Sequence, residues 1–276
     1  MTIAQTERPL MNANVTPPAV AELAGKDVVS LHNVSMAYEE GVPILRGVNF
    51  SVRHGEFVSI VGPSGCGKST LLKLISALAR QTSGEVLVHG KPVVTTPESI
   101  GFMFQRDALL PWATVASNIE VGLECSGYPR ADRPRRITQL IELLGLKGFA
   151  DYYPQALSGG MRQRVALGRL LAYAPEIYLM DEPFGALDAQ TKIHMGRELL
   201  RIWSEQKRAV VFVTHDIEEA VSLSDRVVVM TGRPGMIKAI YDVDIPRPRD
   251  PRDVRKLPAF HALVDQIWTD VAGPRD

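Results

Sequence analysis

Gly62-Pro63-Ser64-Gly65-Cys66-Gly67-Lys68-Ser69-Thr70 is the stretch that decides the fold. It fits the pattern G-x-x-x-x-G-K-[ST], and its context sharpens the match. A short apolar run, residues 56–61, leads into it. A helix is predicted over residues 68–79, with Leu71, Leu72, Ile75 and Leu78 on one face. A strand, a glycine-rich turn and a helix together form a phosphate loop. The glycines let the backbone curl so that successive N–H groups face phosphate oxygens, and the helix N-terminus adds a favourable dipole. Residues 62–70 are therefore read as the nucleotide-binding segment. Lys68 is expected on the β- and γ-phosphates and the Ser69 hydroxyl on Mg²⁺. Cys66, inside the loop, is read as a tolerated small residue without a catalytic role.

Outward from this loop, strand-like segments dominate the first hundred residues: 28–38, 48–53, 85–89 and 100–104. From Gln105 to about Tyr173 the pattern turns helical. Ile137, Leu140, Ile141 and Leu144 follow i, i+3, i+4, i+7 spacing behind Asp132 as a cap and Pro134 in the first turn. Strand and helix then alternate: strands at 177–180, 209–213 and 226–230, with helices after Asp188 and Asp216. This is the signature of a mainly parallel α/β sheet carrying a helical insert. The organisation expected is an N-terminal tail over 1–25, one nucleotide-binding domain over 26–245 with its helical part at 105–173, and a C-terminal tail over 246–276. That tail carries an amphipathic helix marked by Phe260, Leu263, Val264, Ile267 and Trp268.

Composition narrows the function classes. Lys plus Arg equals Asp plus Glu at 31 each, so no overall field favours nucleic acid or an anionic membrane. Two cysteines, Cys66 and Cys125, cannot build a disulfide framework, and a reduced compartment fits. No apolar stretch approaches the ~20 residues of a membrane-spanning helix. A local basic excess, Arg247, Arg249, Arg252, Arg255 and Lys256 against Asp250 and Asp253, reads first as a solvated face. Lipid headgroups or a regulatory anion are its alternatives.

The remaining chemistry gathers at strand ends. Asp181-Glu182 closes an apolar strand; Asp181 is expected to reach Mg²⁺ and Glu182 to polarise an attacking water as general base. His215 ends the strand 209–213 and is expected near the γ-phosphate. Gln105 is expected on Mg²⁺ or on the attacking water; Tyr38, an aromatic at a strand end, reads as core or as a stacking surface for adenine. A second run, Leu157-Ser158-Gly159-Gly160-Met161-Arg162-Gln163, implies a second phosphate-binding surface. One nucleotide rarely needs two such surfaces in one chain, so two copies sharing each ATP is the reading.

In this order, Tyr38, the phosphate loop, Gln105, Leu157–Gly160, Asp181-Glu182, Ala186-Leu187-Asp188 and His215 resemble the ATP-binding subunit of ABC transporters, over about residues 28–245. The resemblance implies a P-loop ATPase core with an N-terminal antiparallel β subdomain and an inserted helical subdomain. It implies a head-to-tail homodimer, with Ser158, Gly159, Gly160 and Gln163 reaching the partner's nucleotide and Asp188 at the interface. Catalytic roles for Glu182, His215 and Gln105, and Mg²⁺ bound through Ser69, Gln105 and Asp181, follow from the same likeness. Finer similarity, carried by Phe104–Trp112, Asn118, Asp181–Asp188, Arg233-Pro234-Gly235 and Ile245–Arg249, is to importers of nitrate, sulfonate, taurine and similar solutes. Such a subunit docks on two membrane permease subunits at the cytoplasmic face of the cell membrane and serves a solute-binding protein indirectly. Gln105 and Ala108–Trp112 are then expected to couple it to the permease. Gly168 and Ser76-Ala77 depart from the pattern of that branch. The alternatives are a soluble ATPase of DNA repair or translation, which this single domain without zinc spacing or heptads does not suit, and an exporter subunit.

Overall fold

The computed structural model describes residues 25–38 and 41–272; the expected N-terminal tail falls, except for Gly25, outside them. Two sheets organise the chain. The first is antiparallel, in the order β2-β1-β4-β5, from β1 (Asp27–Ala37), β2 (Pro43–Arg53), β4 (Ser83–Val88) and β5 (Lys91–Pro92). The second runs β10-β9-β3-β8-β7-β6. Its parallel strands are β9 (Arg226–Met230), β3 (Phe57–Val61), β8 (Ala209–Val213), β7 (Ile177–Asp181) and β6 (Ile100–Met103), and β10 (Ile237–Asp242) pairs antiparallel at one edge. Every residue of β3, β7 and β8 is buried. Such unbroken apolar strands belong at the centre of a sheet covered on both faces.

β10 is absent from the sequence reading for a physical reason. Its burial alternates, yet Ile240, on the exposed side, is apolar, so the strand shows no clean alternation. The phosphate-loop helix α1 (Lys68–Ile75) stops four residues before the expected end. The Ser76 hydroxyl donates back to Leu72 O at 3.1 Å and Ala77 takes φ +59°. The left-handed residue ends the helix and leaves Leu78 exposed.

The block between β6 and β7 holds α2 (Val115–Cys125), α3 (Arg133–Leu143) and α4 (Gly159–Tyr173). Leu140, Ile141 and Leu144 are buried as their spacing requires. Asp132 makes no capping bond, because the chain enters α3 from a 3₁₀ turn, Arg130–Asp132, already in helical conformation. Gly168 has a packing reason: a Cβ there would stand 2.5 Å from Leu144 Cδ1 and 3.2 Å from Ile119 Cγ1, where α4 meets its neighbours.

Beyond β7 come α5 (Ala189–Gln206) and α6 (Ile217–Leu223), and after β10 comes α7 (Pro258–Ala272). Phe260 and Ile267 of α7 are fully buried with residues of α6 and β9, each worth about 1.5–3 kcal/mol. Trp268, expected on the same stripe, is exposed. The basic stretch before α7 is a free face only in part, at exposed Arg252 and Lys256. Arg249 is buried and donates to the carbonyls of Ile245, Ser224 and Val243. Arg247 pairs with Asp225 at 2.7 Å and lies over the Trp203 ring, and Arg255 reaches Glu218 at 3.2 Å. Arg247, Arg249 and Arg255 hold the chain end to the body. Among the described residues no helix is long and apolar enough to cross a membrane.

Candidate functional site

Four neighbouring strands deliver four motifs to one edge of the sheet. β3 leads into the phosphate loop, β7 ends in Asp181 before Glu182, β8 leads to His215 and β6 to Gln105. The carboxyl edge of a parallel sheet is where ligands gather in such folds.

The phosphate loop is held from all sides. Gly62, Gly65 and Gly67 have φ of +154°, +74° and +102°, conformations that side-chain-bearing residues rarely adopt. Lys68 Nζ donates to Gly62 O at 2.7 Å and Pro63 O at 3.1 Å, so the ammonium is drawn across the loop it closes. Cys66 is buried, its sulfur 3.9 Å from that nitrogen. A support that the sequence reading missed comes from the loop after β9. Arg233 Nε donates to Gly65 O at 2.9 Å, and Gly235 lies so close that a Cβ on it would stand 1.9 Å from Cys66 O. Arg233-Pro234-Gly235 was visible only as a family likeness; nothing local in the sequence tied it to a loop some 170 residues earlier.

The Ser69 hydroxyl donates to Asp181 Oδ1 at 3.0 Å. Burial pushes the Asp181 carboxyl above its ordinary value, against the opposing pull of the Ser69 bond and of Lys73 and Lys68. A hydroxyl beside a desolvated carboxylate is a hard-oxygen pair suited to Mg²⁺, and a divalent cation would relieve that burial. Among the described residues no group of three or more His, Cys, Asp or Glu could hold a metal. The rest of any Mg²⁺ shell would have to come from the ligand and water.

Glu182 has φ +49°, uncommon for a residue with a side chain and typical of strained functional positions. Its N–H donates to Val213 O at 2.9 Å and its carbonyl accepts from Gly185 N at 3.1 Å, which fixes the turn. Its carboxylate joins two other motifs. Gln105 Nε2 donates to Glu182 Oε2 at 3.2 Å, and His215 Nδ1 lies 3.4 Å from the same oxygen. The predicted catalytic residues thus meet at one atom.

Ser158 caps α4, its hydroxyl accepting from Met161 N at 3.3 Å, and the helix start is exposed. Among the described residues none of the Ser158–Gly160 run hydrogen-bonds to residues 62–70. Gln163 departs from its expected role. It is buried, its amide nitrogen donates to Glu182 O at 2.7 Å, and its oxygen accepts from Ala186 N at 2.8 Å. Both ends are used within its own chain, so it shapes the turn after Glu182 instead of reaching a partner. Asp188 caps α5, accepting from Thr191 N at 3.0 Å and the Thr191 hydroxyl at 2.6 Å; that hydroxyl holds its carboxyl below the ordinary range. Tyr38 stands exposed just beyond β1.

The Gln105 loop is tied to the helical block by bonds that the sequence reading left unassigned. Asn118, fully buried, accepts from Leu110 N at 2.9 Å and donates to the carbonyls of Leu110, Ala113 and Thr114. Arg162 Nε pairs with Asp107 at 2.8 Å and Arg169 donates to Ala108 O at 2.9 Å. The helix that carries Ser158 at its start therefore grips the loop that carries Gln105. Trp112, in that loop, is 75% exposed.

Comparison with known proteins agrees with this geometry. The family model described as ABC transporter matches residues 45–185. The chain is 50% identical over 230 residues to an uncharacterized ABC transporter ATP-binding protein of Methanocaldococcus jannaschii, covering 83% of this chain and 86% of that one. It is 42% identical over 224 residues to the aliphatic sulfonates import ATP-binding protein SsuB of Bacillus cereus, covering 80% and 88%. A dimeric ATP-binding cassette in a post-hydrolysis state, bound to ADP and Pi, superimposes with a TM-score of 0.70 at 34% identity, covering 79% of this chain and all of that one. With its phosphate loop, its carboxylate pair and these likenesses, the chain belongs to the ABC transporter family as an ATP-binding subunit and is an ATPase.

Proposed function

We propose that this chain powers an importer, two copies closing head to tail around two ATP molecules while docked on two permease subunits at the cytoplasmic face of the membrane. The observation that carries the reading is the convergence of Gln105 and His215 on Glu182 Oε2, one residue from the Ser69–Asp181 pair. Lys68 binds the β- and γ-phosphates, and the N–H groups of residues 62–70 face their oxygens. Mg²⁺, held by Ser69 with Asp181 and Gln105 near it, would neutralise charge developing on the phosphates. Glu182 accepts the proton of the attacking water; Gln105 and His215 orient its carboxylate and sense the γ-phosphate. Ser158, Gly159 and Gly160, at an exposed helix start, serve the partner's nucleotide, and Asp188 lies at the joint.

The dimeric cassette that superimposes on this chain supports the two-copy arrangement, and the Bacillus cereus relative supports a sulfonate or a similar small oxyanion as cargo. Exposed Trp112, on a loop tied to α4, suits contact with a permease. Replacing Glu182 by Gln is expected to lower turnover by about 10²–10⁴-fold while ATP still drives dimer formation. Near-normal turnover in that variant removes Glu182 from the base role. Purification from membranes, followed by uptake assays with alkanesulfonates against nitrate, identifies the cargo.

A further inference from the structure

A cavity of about 1270 Å³ lies between β6 and the helical block, lined by Phe104, Asp107 and Leu110 of the Gln105 loop and by Arg136 and Arg208. Three arginines line it, Arg136, Arg169 and Arg208, and none has an ion-pair partner among the described residues. Arg136 is 7% exposed, and its one hydrogen bond is a 3.5 Å contact to Gln139 on its own helix. Arg208 Nε is buried and donates to nothing among the described residues. Both guanidiniums act on the buried Tyr178 hydroxyl: desolvation pushes its pKa up, and the two positive charges pull against that rise. Of the carboxylates nearby, Asp107 pairs with Arg162 and Glu205 with Arg201, Glu176 lies 3.2 Å from His89 Nε2 with its side chain 40% exposed, and Glu98 is exposed.

A guanidinium withdrawn from water without a counter-charge is costly, and evolution seldom leaves one unpaired. Burial pushes the Arg136 guanidinium below its ordinary value, in keeping with an unmet charge. Planar N–H forks suit tetrahedral or planar oxyanions, which they grip with two parallel bonds. We infer that the part of this cavity lined by Arg136 and Arg208 is a binding site for a small oxyanion such as a sulfonate, sulfate, phosphate or carboxylate. The site is separate from the phosphate loop and uses residues that the ATPase reaction does not. The same cavity is lined by Phe104, Asp107 and Leu110 of the Gln105 loop, so an occupant is placed to bear on that loop.

The test is thermal unfolding and titration calorimetry of the full chain, with excess ADP and Mg²⁺ filling the phosphate loop. Methanesulfonate, sulfate and phosphate are compared with chloride at matched ionic strength. A saturable rise in midpoint with at least one oxyanion, absent with chloride, is expected. Arg136→Met should weaken that response about tenfold or more, and Arg208→Gln should weaken it in the same direction. Without oxyanion, Arg136→Met should be at least as stable as the unsubstituted chain, because an unpaired buried charge has gone. An equal response to chloride, no response to any of the three oxyanions, or a response in Arg136→Met within about twofold of the parent overturns the inference.

Discussion

The molecule presents two helix N-termini suited to phosphate, and they differ in how much of the site each one supplies. At α1 the loop is enclosed by its own chain: Lys68 spans it, Arg233 holds Gly65, Gly235 presses on Cys66, and Ser69 is bonded to Asp181. At α4 there is one capping bond, an exposed serine, an exposed Gly159 and a half-buried Gly160. Both ends carry the same dipole and the same free N–H groups. What separates them is enclosure. The first is enclosed by its own chain; the second is open, with no hydrogen bond to residues 62–70. In the head-to-tail dimer proposed above, that asymmetry would make ATP the adhesive between two copies.

The largest effect that breaks the comparison comes from the enclosed side. Lys68→Ala should remove nucleotide binding almost entirely, read by equilibrium titration with a fluorescent ATP analogue; retention of affinity within about threefold would show that enclosure by Lys68 is not what binds phosphate. Next comes Gly235→Ala. Its Cβ cannot be placed against Cys66 O without moving the phosphate loop, so ATP affinity should fall about tenfold and stability by about 1–3 kcal/mol. Denaturant unfolding and the same titration measure both, and a silent substitution would mean that the loop after β9 is no part of the enclosure.

The smallest effect sharpens the comparison by probing the support behind His215. Glu219 is buried, its carboxyl pushed up to about 7 chiefly by desolvation, and one of its oxygens is unpaired. It lies next to the loop of His215 and bonds Thr214, whose hydroxyl accepts from Asp216 N at 3.0 Å. A carboxyl with a raised folded pKa binds its proton more tightly in the fold than in the unfolded chain. Its contribution is therefore full below about pH 4.5 and is lost as pH rises through about 7. Glu219→Gln should flatten that decline and raise stability at pH 8 by on the order of 2 kcal/mol. Unchanged unfolding midpoints across pH 5–8 would contradict the assigned environment.

Much of the enclosed half-site was legible in the sequence, because its signals are local. A glycine pattern between a strand and a helix names its own geometry, and Asp181-Glu182 at the end of an apolar run names its place at a strand end. The supports were not legible. Arg233 and Gly235 act on the phosphate loop across the sheet, Asn118 satisfies a loop whose carbonyls carry no sequence signal, and Arg162 meets Asp107 only once α4 has packed. Gln163 misled for the same reason: its place after the glycine pair suggested an outward role, whereas the turn after Glu182 took both ends of its amide. Helix ends also slipped where side chains, not periodicity, decide them, as at Ser76 and Asp132. Trp268 shows the opposite error, since an apolar residue in phase with a buried stripe can still stand exposed.

The central claim, that the start of α4 completes a site belonging to another copy, is tested most directly by molar mass in solution. In a Glu182→Gln background, light scattering is predicted to give a dimer with ATP and Mg²⁺ and a monomer with ADP. Adding Ser158→Arg should abolish the dimer while leaving the ATP affinity of the monomer within about threefold. A chain that stays monomeric at saturating ATP, or a dimer indifferent to Ser158→Arg, would contradict it.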